Sequence, residues 1–326
     1  MPTIGVLLIG IRYKEGTAHL PGCHNDIINM YNFLKSKFTN SKYNLDITVV
    51  ADYQGCLCDN LVCLWPTKYN ILESLKTLRN KNYKKYFIHY SGHGTSQPDI
   101  TGDENDGYDE VICPYDYLTS GCIEDDILNS HFLQHLSSEC RVRITMDCCR
   151  SGTIWDLKYR YNNSRANIIN APSIKCNVVV ISGCKDNQYA YDVYTEGQHQ
   201  GAFTYCLLKS MQSDKNIIVT KLMTIINKYL KHGGWSAQTP RLTSSFLLTK
   251  KDVFFDFDNE YSAFELYIIN KQRRRRRERR RRRRRKKKQQ KRENKKRRRN
   301  KQKKRQLLTN SINKSNLMFP LLYNIK

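Results

Sequence analysis

The chain has 326 residues, 39% of them hydrophobic, enough for one large domain with a sizeable core. Its formal charge of +26 is concentrated in one place: Lys271 to Arg305 hold 27 Lys or Arg against two acids, whereas residues 1–270 hold 27 basic and 28 acidic residues. That split excludes a uniformly basic fold and predicts a near-neutral domain followed by a solvated, largely disordered or transiently helical arm. Twelve cysteines in a chain of this length, with no signal peptide ahead of the apolar run Ile4–Gly10, argue against a secreted disulfide scaffold. No apolar stretch reaches the roughly 18 residues of a membrane span. A reducing cytoplasm, or a nucleus reached through the basic arm, is the expected compartment.

In chain order, Ile4–Gly10 reads as a buried strand, and Asn25–Phe38 spaces Ile27, Ile28, Tyr31, Leu34 and Phe38 as a helix. Leu45–Val50 is a second strand. Thr67 caps a helix that carries Ile71, Leu72, Leu75 and Leu78 on one face, and Lys85–Tyr90 is a third strand. Asp125–Leu136 is expected to be helical, Arg141–Met146 and Asn177–Ile181 to be strands, and Ala202–Met211 and Val219–Leu230 to be helices. Strands alternating with helices of this length predict an α/β domain whose mainly parallel sheet is covered on both faces. Ligands of such sheets gather at the carboxyl ends of the strands.

Two strand ends carry chemistry. Lys85–Tyr90 delivers His93 into the turn Ser91-Gly92-His93-Gly94, where glycines let backbone approach a ligand. Arg141–Met146 runs into Asp147-Cys148-Cys149-Arg150-Ser151-Gly152. A thiol at such a turn, with an imidazole in reach to take its proton, is the nucleophile and base of a cysteine peptidase. The histidine precedes the cysteine by 56 residues, close to the caspase spacing. His89, on the strand itself, reads as a core histidine.

Six segments in order resemble the metacaspase family: Gly22-Cys23-His24-Asn25-Asp26, His89–Gly94, Gly102–Glu110, Asp147–Gly152, Ser182–Gln188 and Gly201–Thr204. The resemblance spans about residues 3–250 and is nearest to type I members, with no prodomain expected before the first strand. It implies a three-layer caspase-like fold, with a large-subunit part at about 3–157 and a small-subunit part at about 176–250. A connecting segment, 251–270, and the basic tail, 271–326, follow. It makes Cys149 the nucleophile, His93 the base, and the amides of Gly94 and Cys149 the oxyanion hole. Cys148 is expected to pack. Arg150 stands where the family often has His.

Cleavage after Arg or Lys requires carboxylates in a half-buried pocket. Asp26 and Asp147 are the candidates, and the resemblance adds Cys23 and Ser91 to the pocket. Asp26 also suits the first turn of a helix for electrostatic reasons alone. The resemblance further implies calcium activation through Asp109, Asp125, Asp126 and Asp156, although Asp125 and Asp126 also suit a helix start. No organic cofactor is expected. The acidic run from Asp103 lacks the late Glu of an EF-hand loop. Cys56, Cys58 and Cys63 lack the second ligand pair of a zinc site and read as an exposed loop insertion.

The expected partners are protein or peptide substrates with Arg or Lys before the scissile bond, and the expected state is a monomer. The 271–305 run would neutralise phosphates of nucleic acid, or an anionic surface, without reading bases. Arg160 and Arg165, in an expected loop at Lys158–Lys175, and the tail itself are predicted self-cleavage sites. The competing reading is an inert caspase-like scaffold whose tail binds nucleic acid.

Overall fold

Alternation along the central strands decides which layer each residue faces. The computed structural model describes residues 1–14, 18–99, 107–162, 165–169, 171–214, 216–249, 252–255 and 257. β1 (Thr3–Gly10) leads to α1 (Cys23–Phe38) and β2 (Asn44–Ala51). A hairpin of β3 (Cys56–Cys58) and β4 (Leu61–Val62) precedes α2 (Lys68–Asn80) and β5 (Lys85–Ser91). A small antiparallel sheet of β6 (Gly94–Pro98), β7 (Tyr108–Ile112) and β8 (Ile123–Glu124) contains the single turn α3 (Tyr117–Ser120). It runs directly into α4 (Asp125–His131). Then come β9 (Arg141–Asp147), the hairpin β10 (Tyr159–Asn162) and β11 (Arg165–Ile168), and β12 (Asn177–Ser182). A second hairpin, β13 (Asp192–Thr195) and β14 (Gln198–Gly201), leads to α5 (Ala202–Ser213), α6 (Val219–His232) and β15 (Arg241–Ser244).

The main sheet has eight strands in the order β11-β10-β15-β12-β9-β5-β1-β2. The five from β12 to β2 are parallel, and the three at the other edge pair antiparallel. In β1, Ile4, Val6 and Leu8 face a core shared with α1, α5 and α6, while Leu7 and Ile9 face a second core shared with α2 and α4. Helices thus cover both faces, which is the expected three-layer caspase-like α/β architecture. Truncating Leu7, which is fully buried, to Ala would cost about 2–5 kcal/mol. Thr67 caps α2 as expected, its Oγ1 accepting from the Asn70 amide at 3.1 Å.

Four expectations need correction. The helix expected over Asp125–Leu136 stops at His131, because Phe132 turns out of helical geometry at φ −125° to bury its ring, and Leu133–His135 tighten into a 3₁₀ turn. The expected loop around Cys56 is the β3–β4 hairpin, with Cys56 exposed and Cys58 buried. The expected loop at Lys158–Lys175 contains β10 and β11 at the edge of the main sheet, with Arg160 near Asp186 at 3.8 Å. The catalytic core does not end at 250: Phe254, Phe255 and Phe257 are buried against α1 and β5, and the guanidinium of Arg143 donates to the Phe254 carbonyl. The rest of the 251–270 segment and the whole 271–326 tail lie outside the described residues. Among the described residues, no helix is long and apolar enough to cross a membrane.

Candidate active site

The register of the parallel strands sets Ser91, the last residue of β5, opposite Asp147, the last of β9. Both point to the α1–α5 side, because Tyr90 and Met146 before them face the other core. At this sheet end a cleft of about 160 Å³ is lined by Cys23, Asp26, Ser91, His93, Asp147 and Cys149, with Leu20, Gly92, Tyr189, Ala190, Tyr191, Asp192 and Gly201 completing it. The thiol, the imidazole and the four expected pocket residues are therefore brought together from β5, β9, α1 and the turns beyond them.

Cys149 is half-buried at the turn after β9, whereas Cys148 packs into the α2–α4 core as expected. Ser151 Oγ donates to the Cys148 carbonyl at 2.9 Å and closes the turn, with Arg150 in the left-handed region at φ +50°. Arg150 swings away to donate to Ser96 Oγ at 3.0 Å. The Ala190 amide approaches Cys149 Sγ at 3.3 Å. Burial raises the Cys149 thiol above its usual range, and Asp147 adds to the rise; Ala190 and Arg150 only partly oppose this. Gly94 is required by close approach, since a Cβ there would stand 2.4 Å from the Cys149 carbonyl oxygen and 3.1 Å from Cys148 Cβ.

His93 Nε2 lies 2.6 Å from the carbonyl oxygen of Ala18. A carbonyl can only accept, so Nε2 carries the proton and Nδ1 is the nitrogen free to take one. The backbone of His93 is held as firmly. Its amide donates to the Tyr13 hydroxyl at 3.1 Å, and its carbonyl accepts from Tyr90 at 2.7 Å and from the Cys113 amide at 3.1 Å. Tyr13 in turn donates to the Cys113 carbonyl. Tyr13 sits in the left-handed region at φ +51°, a conformation that costs a non-glycine residue of order 1 kcal/mol. Buried Asp52 fixes it there, accepting from the Arg12 and Tyr13 amides at 2.8 and 2.9 Å and contacting His24 Nε2 at 2.7 Å.

The floor of the cleft is acidic. Asp26 accepts from Ser91 Oγ at 2.6 Å and from the Gly201 amide at 2.9 Å; Asp147 accepts from the Thr204 amide and hydroxyl at 2.9 and 2.7 Å. Gly201 is wedged between them, because a Cβ there would meet Asp147 Oδ2 at 2.1 Å and Asp26 Oδ2 at 2.8 Å. Burial and the neighbouring Asp147 raise the Asp26 carboxyl well above its usual range. Burial likewise lifts Asp147 to about 6, against the pull of the Thr204 bonds. Asp192, half-buried, is a third carboxylate on the cleft and accepts from the Gly22 amide at 2.7 Å. Spacing gave no reason to choose it, nor the Ala18 carbonyl, whose role does not depend on side-chain identity.

The remaining predicted residues lie elsewhere. Asp109 is buried on β7, Asp125 buried and Asp126 half-buried at the start of α4, and Asp156 buried at φ +47° in the turn beyond Cys149. The Asn129 side chain donates to the Trp155 carbonyl at 2.8 Å and ties α4 to that turn. The donor chemistry suits calcium, which takes carboxylate oxygens. Among the described residues, however, no three His, Cys, Asp or Glu side chains are gathered so as to hold a metal ion. His89 is a core residue, fully buried with Nδ1 2.8 Å from Thr145 Oγ1, and burial pulls it down to about 3.

Comparison with known proteins agrees with this geometry. A family model described as metacaspase, peptidase C14 domain, matches residues 6–158. Metacaspase-1B of Aspergillus oryzae is 30% identical over 298 residues, covering 76% of this chain and 69% of its own length. Metacaspase-1 of Saccharomyces cerevisiae is 30% identical over 294 residues, covering 73% of this chain and 66% of its own. Among solved structures, protein GSU0716 from Geobacter sulfurreducens superposes with a TM-score of 0.52 over 75% of this chain and 94% of its own, at 22% identity, a likeness of fold. By the extent of these relatives and the matched model, this chain belongs to the metacaspase family of caspase-like cysteine-type endopeptidases.

Proposed function

We propose that the chain hydrolyses peptide bonds after Arg or Lys, with Cys149 as nucleophile and His93 as its base. The observation that carries the reading is the pair of buried carboxylates, Asp26 and Asp147, on the floor of the cleft that also holds the thiol and the imidazole. A guanidinium leaving water needs such acceptors, and a substrate Asp would be repelled by them. Because burial disfavours the Cys149 thiolate, the reaction needs a base at the moment of attack. His93 Nδ1 takes the thiol proton as sulfur bonds to the substrate carbonyl carbon, while the Ala18 carbonyl steadies the imidazolium through Nε2. The amides of Gly94 and Cys149 stabilise the oxyanion, the departing amine takes the proton from His93, and water then hydrolyses the thioester.

Calcium activation through Asp109, Asp125, Asp126 and Asp156 is part of the proposal. Four carboxylates on three neighbouring segments support it, as does the Asn129–Trp155 tie between two of those segments. Since they form no ligand cluster as they stand, binding would have to draw the segments together. Self-cleavage would begin at the basic tail, because Arg160 and Arg165 lie on paired strands that must first open. The tail is proposed to contact nucleic acid or another anionic surface and to direct nuclear entry from the cytoplasm, with the enzyme acting as a monomer.

The test is cleavage of fluorogenic peptides bearing Arg, Lys or Asp before the scissile bond, with and without calcium, followed by intact mass of wild type and Cys149→Ala. Turnover of the Arg and Lys peptides alone, with mass loss in wild type alone, is expected. Preferential turnover of the Asp peptide would overturn the pocket assignment.

A further inference from the structure

β7 and β8 run antiparallel with Val111 opposite Glu124 and Ile112 opposite Ile123. One step further along the same register sets Cys113 opposite Cys122, and their sulfur atoms stand 3.6 Å apart. Directly opposed antiparallel residues have Cα atoms about 4.5–5.5 Å apart, inside the roughly 4.4–6.8 Å that a disulfide spans. Rotation of the two side chains is thus enough to bring the sulfurs to about 2.05 Å. Cys122 is half-buried and open to a small reagent, while Cys113 is buried beneath it.

We propose that Cys113 and Cys122 form a reversible modification site, a dithiol that a hydroperoxide closes to an intrachain disulfide and a thiol reductant reopens. Its electrostatics suit the chemistry. Cys122 is drawn down to about 7, first by its hydrogen bond with the Cys113 thiol and then by the Lys68 ammonium, against the effect of burial. Lys68 is held there by donating to the Cys122 carbonyl at 2.7 Å. Burial acts the other way on the interior thiols, pushing Cys176 and Cys206 up to about 12 and Cys184 up to about 11. A thiolate is oxidised by peroxide far faster than a buried thiol, so the first oxidation is directed to Cys122 and the adjacent Cys113 serves as the resolving thiol.

The electron balance closes with the two thiols as reductant and one hydroperoxide as oxidant. The Cys122 thiolate attacks the peroxide, forming an S–O bond and breaking O–O, and the product is a sulfenic acid plus water or an alcohol. The Cys113 sulfur then attacks the sulfenic sulfur; S–S forms, S–O breaks, and the departing hydroxide leaves as water with the Cys113 proton. The bond would form at the residue whose own amide and carbonyl hold His93 and Tyr13.

The test uses the full chain carrying Cys149→Ala, which removes the other reactive thiol near the cleft. It is exposed to equimolar hydrogen peroxide, alkylated and digested, and the peptide carrying both cysteines is weighed. The expected peptide has lost two hydrogens and taken up no alkyl group, regains two alkyl groups after dithiothreitol, and forms faster than half-buried Cys63 is oxidised. The unsubstituted chain should show the same peptide, and Cys122→Ser should leave Cys113 fully alkylated. Full alkylation of both residues after Cys63 has reacted would overturn the proposal, as would recovery of Cys122 as a sulfinic acid beside a free Cys113.

Discussion

Asp26 and Asp147 reach Gly201 from two different elements and are each held by two hydrogen bonds, whereas Asp109, Asp125, Asp126 and Asp156 sit on three segments and form no ligand cluster. The first set is built before any ligand arrives. Crowding two carboxylates out of water is unfavourable, as their raised protonation equilibria record, and a bound cation would relieve that. If the second set binds calcium as proposed, the ion would gather it, which suits switching. Under the proposed function the contrast is between a preformed specificity pocket and a calcium-gathered control element, and substitutions can test each half.

The largest effect is expected at Gly201. Gly201→Ala puts a methyl between the two carboxylates and should lower kcat/KM for Arg peptides by about 10²–10³, the loss of roughly 3–4 kcal/mol of charge-assisted binding. Gly197→Ala, at φ +82° in open space, would strain only its own turn and serves as the control. Wild-type rates in Gly201→Ala would mean the carboxylates do not act together. Next comes the control element: Asp125→Ala should raise the calcium concentration for half-maximal activity by about tenfold or more. A calcium-dependent change in tryptophan fluorescence, which Trp155 beside Asp156 can report, should weaken in parallel. Full activity in chelator would remove calcium from the account.

A smaller effect should appear in the pH dependence of binding. With Asp147 near 6, a benzamidine-type ligand should bind about tenfold more weakly at pH 5 than at pH 7. For the free enzyme the sign is reversed. Carboxyls raised in the folded state contribute stability below their unfolded value near 4, and that contribution is lost as pH rises through 6. Thermal unfolding with and without the ligand at the two pH values reads both; ligand stabilisation that is no greater at pH 7 would contradict it. The smallest change is expected at Asp192→Asn, where a half-buried outer carboxylate should alter KM several-fold, on the order of 1 kcal/mol, and leave kcat nearly unchanged.

Much of this arrangement was legible before the structure. The five parallel strands are apolar, β-branched runs, and buried strands of that kind leave a direct record in sequence. The antiparallel edge does not, because Tyr159–Asn162 and Arg165–Ile168 are short, polar and read as loop until their partners are known. Phe254, Phe255 and Phe257 were missed because three aromatics ahead of a charge run carry no helical or strand period. Motif order identified the thiol, the imidazole and the inner carboxylates, and the fold brings them to one cleft. What supports His93, by contrast, comes from the Ala18 carbonyl, a strained Tyr13 and the Cys113 backbone, and such contacts depend on chain path more than on residue type.

The central claim is that Cys149 attacks substrates bound through a basic side chain. Wild-type protein labelled in calcium with an arginyl and, separately, an aspartyl chloromethyl ketone, then mapped by peptide mass, tests it most directly. The account predicts one arginyl adduct on Cys149, lost in Asp147→Ala, and no aspartyl adduct. An adduct on Cys148 or another cysteine, or equal labelling by the aspartyl reagent, would contradict it.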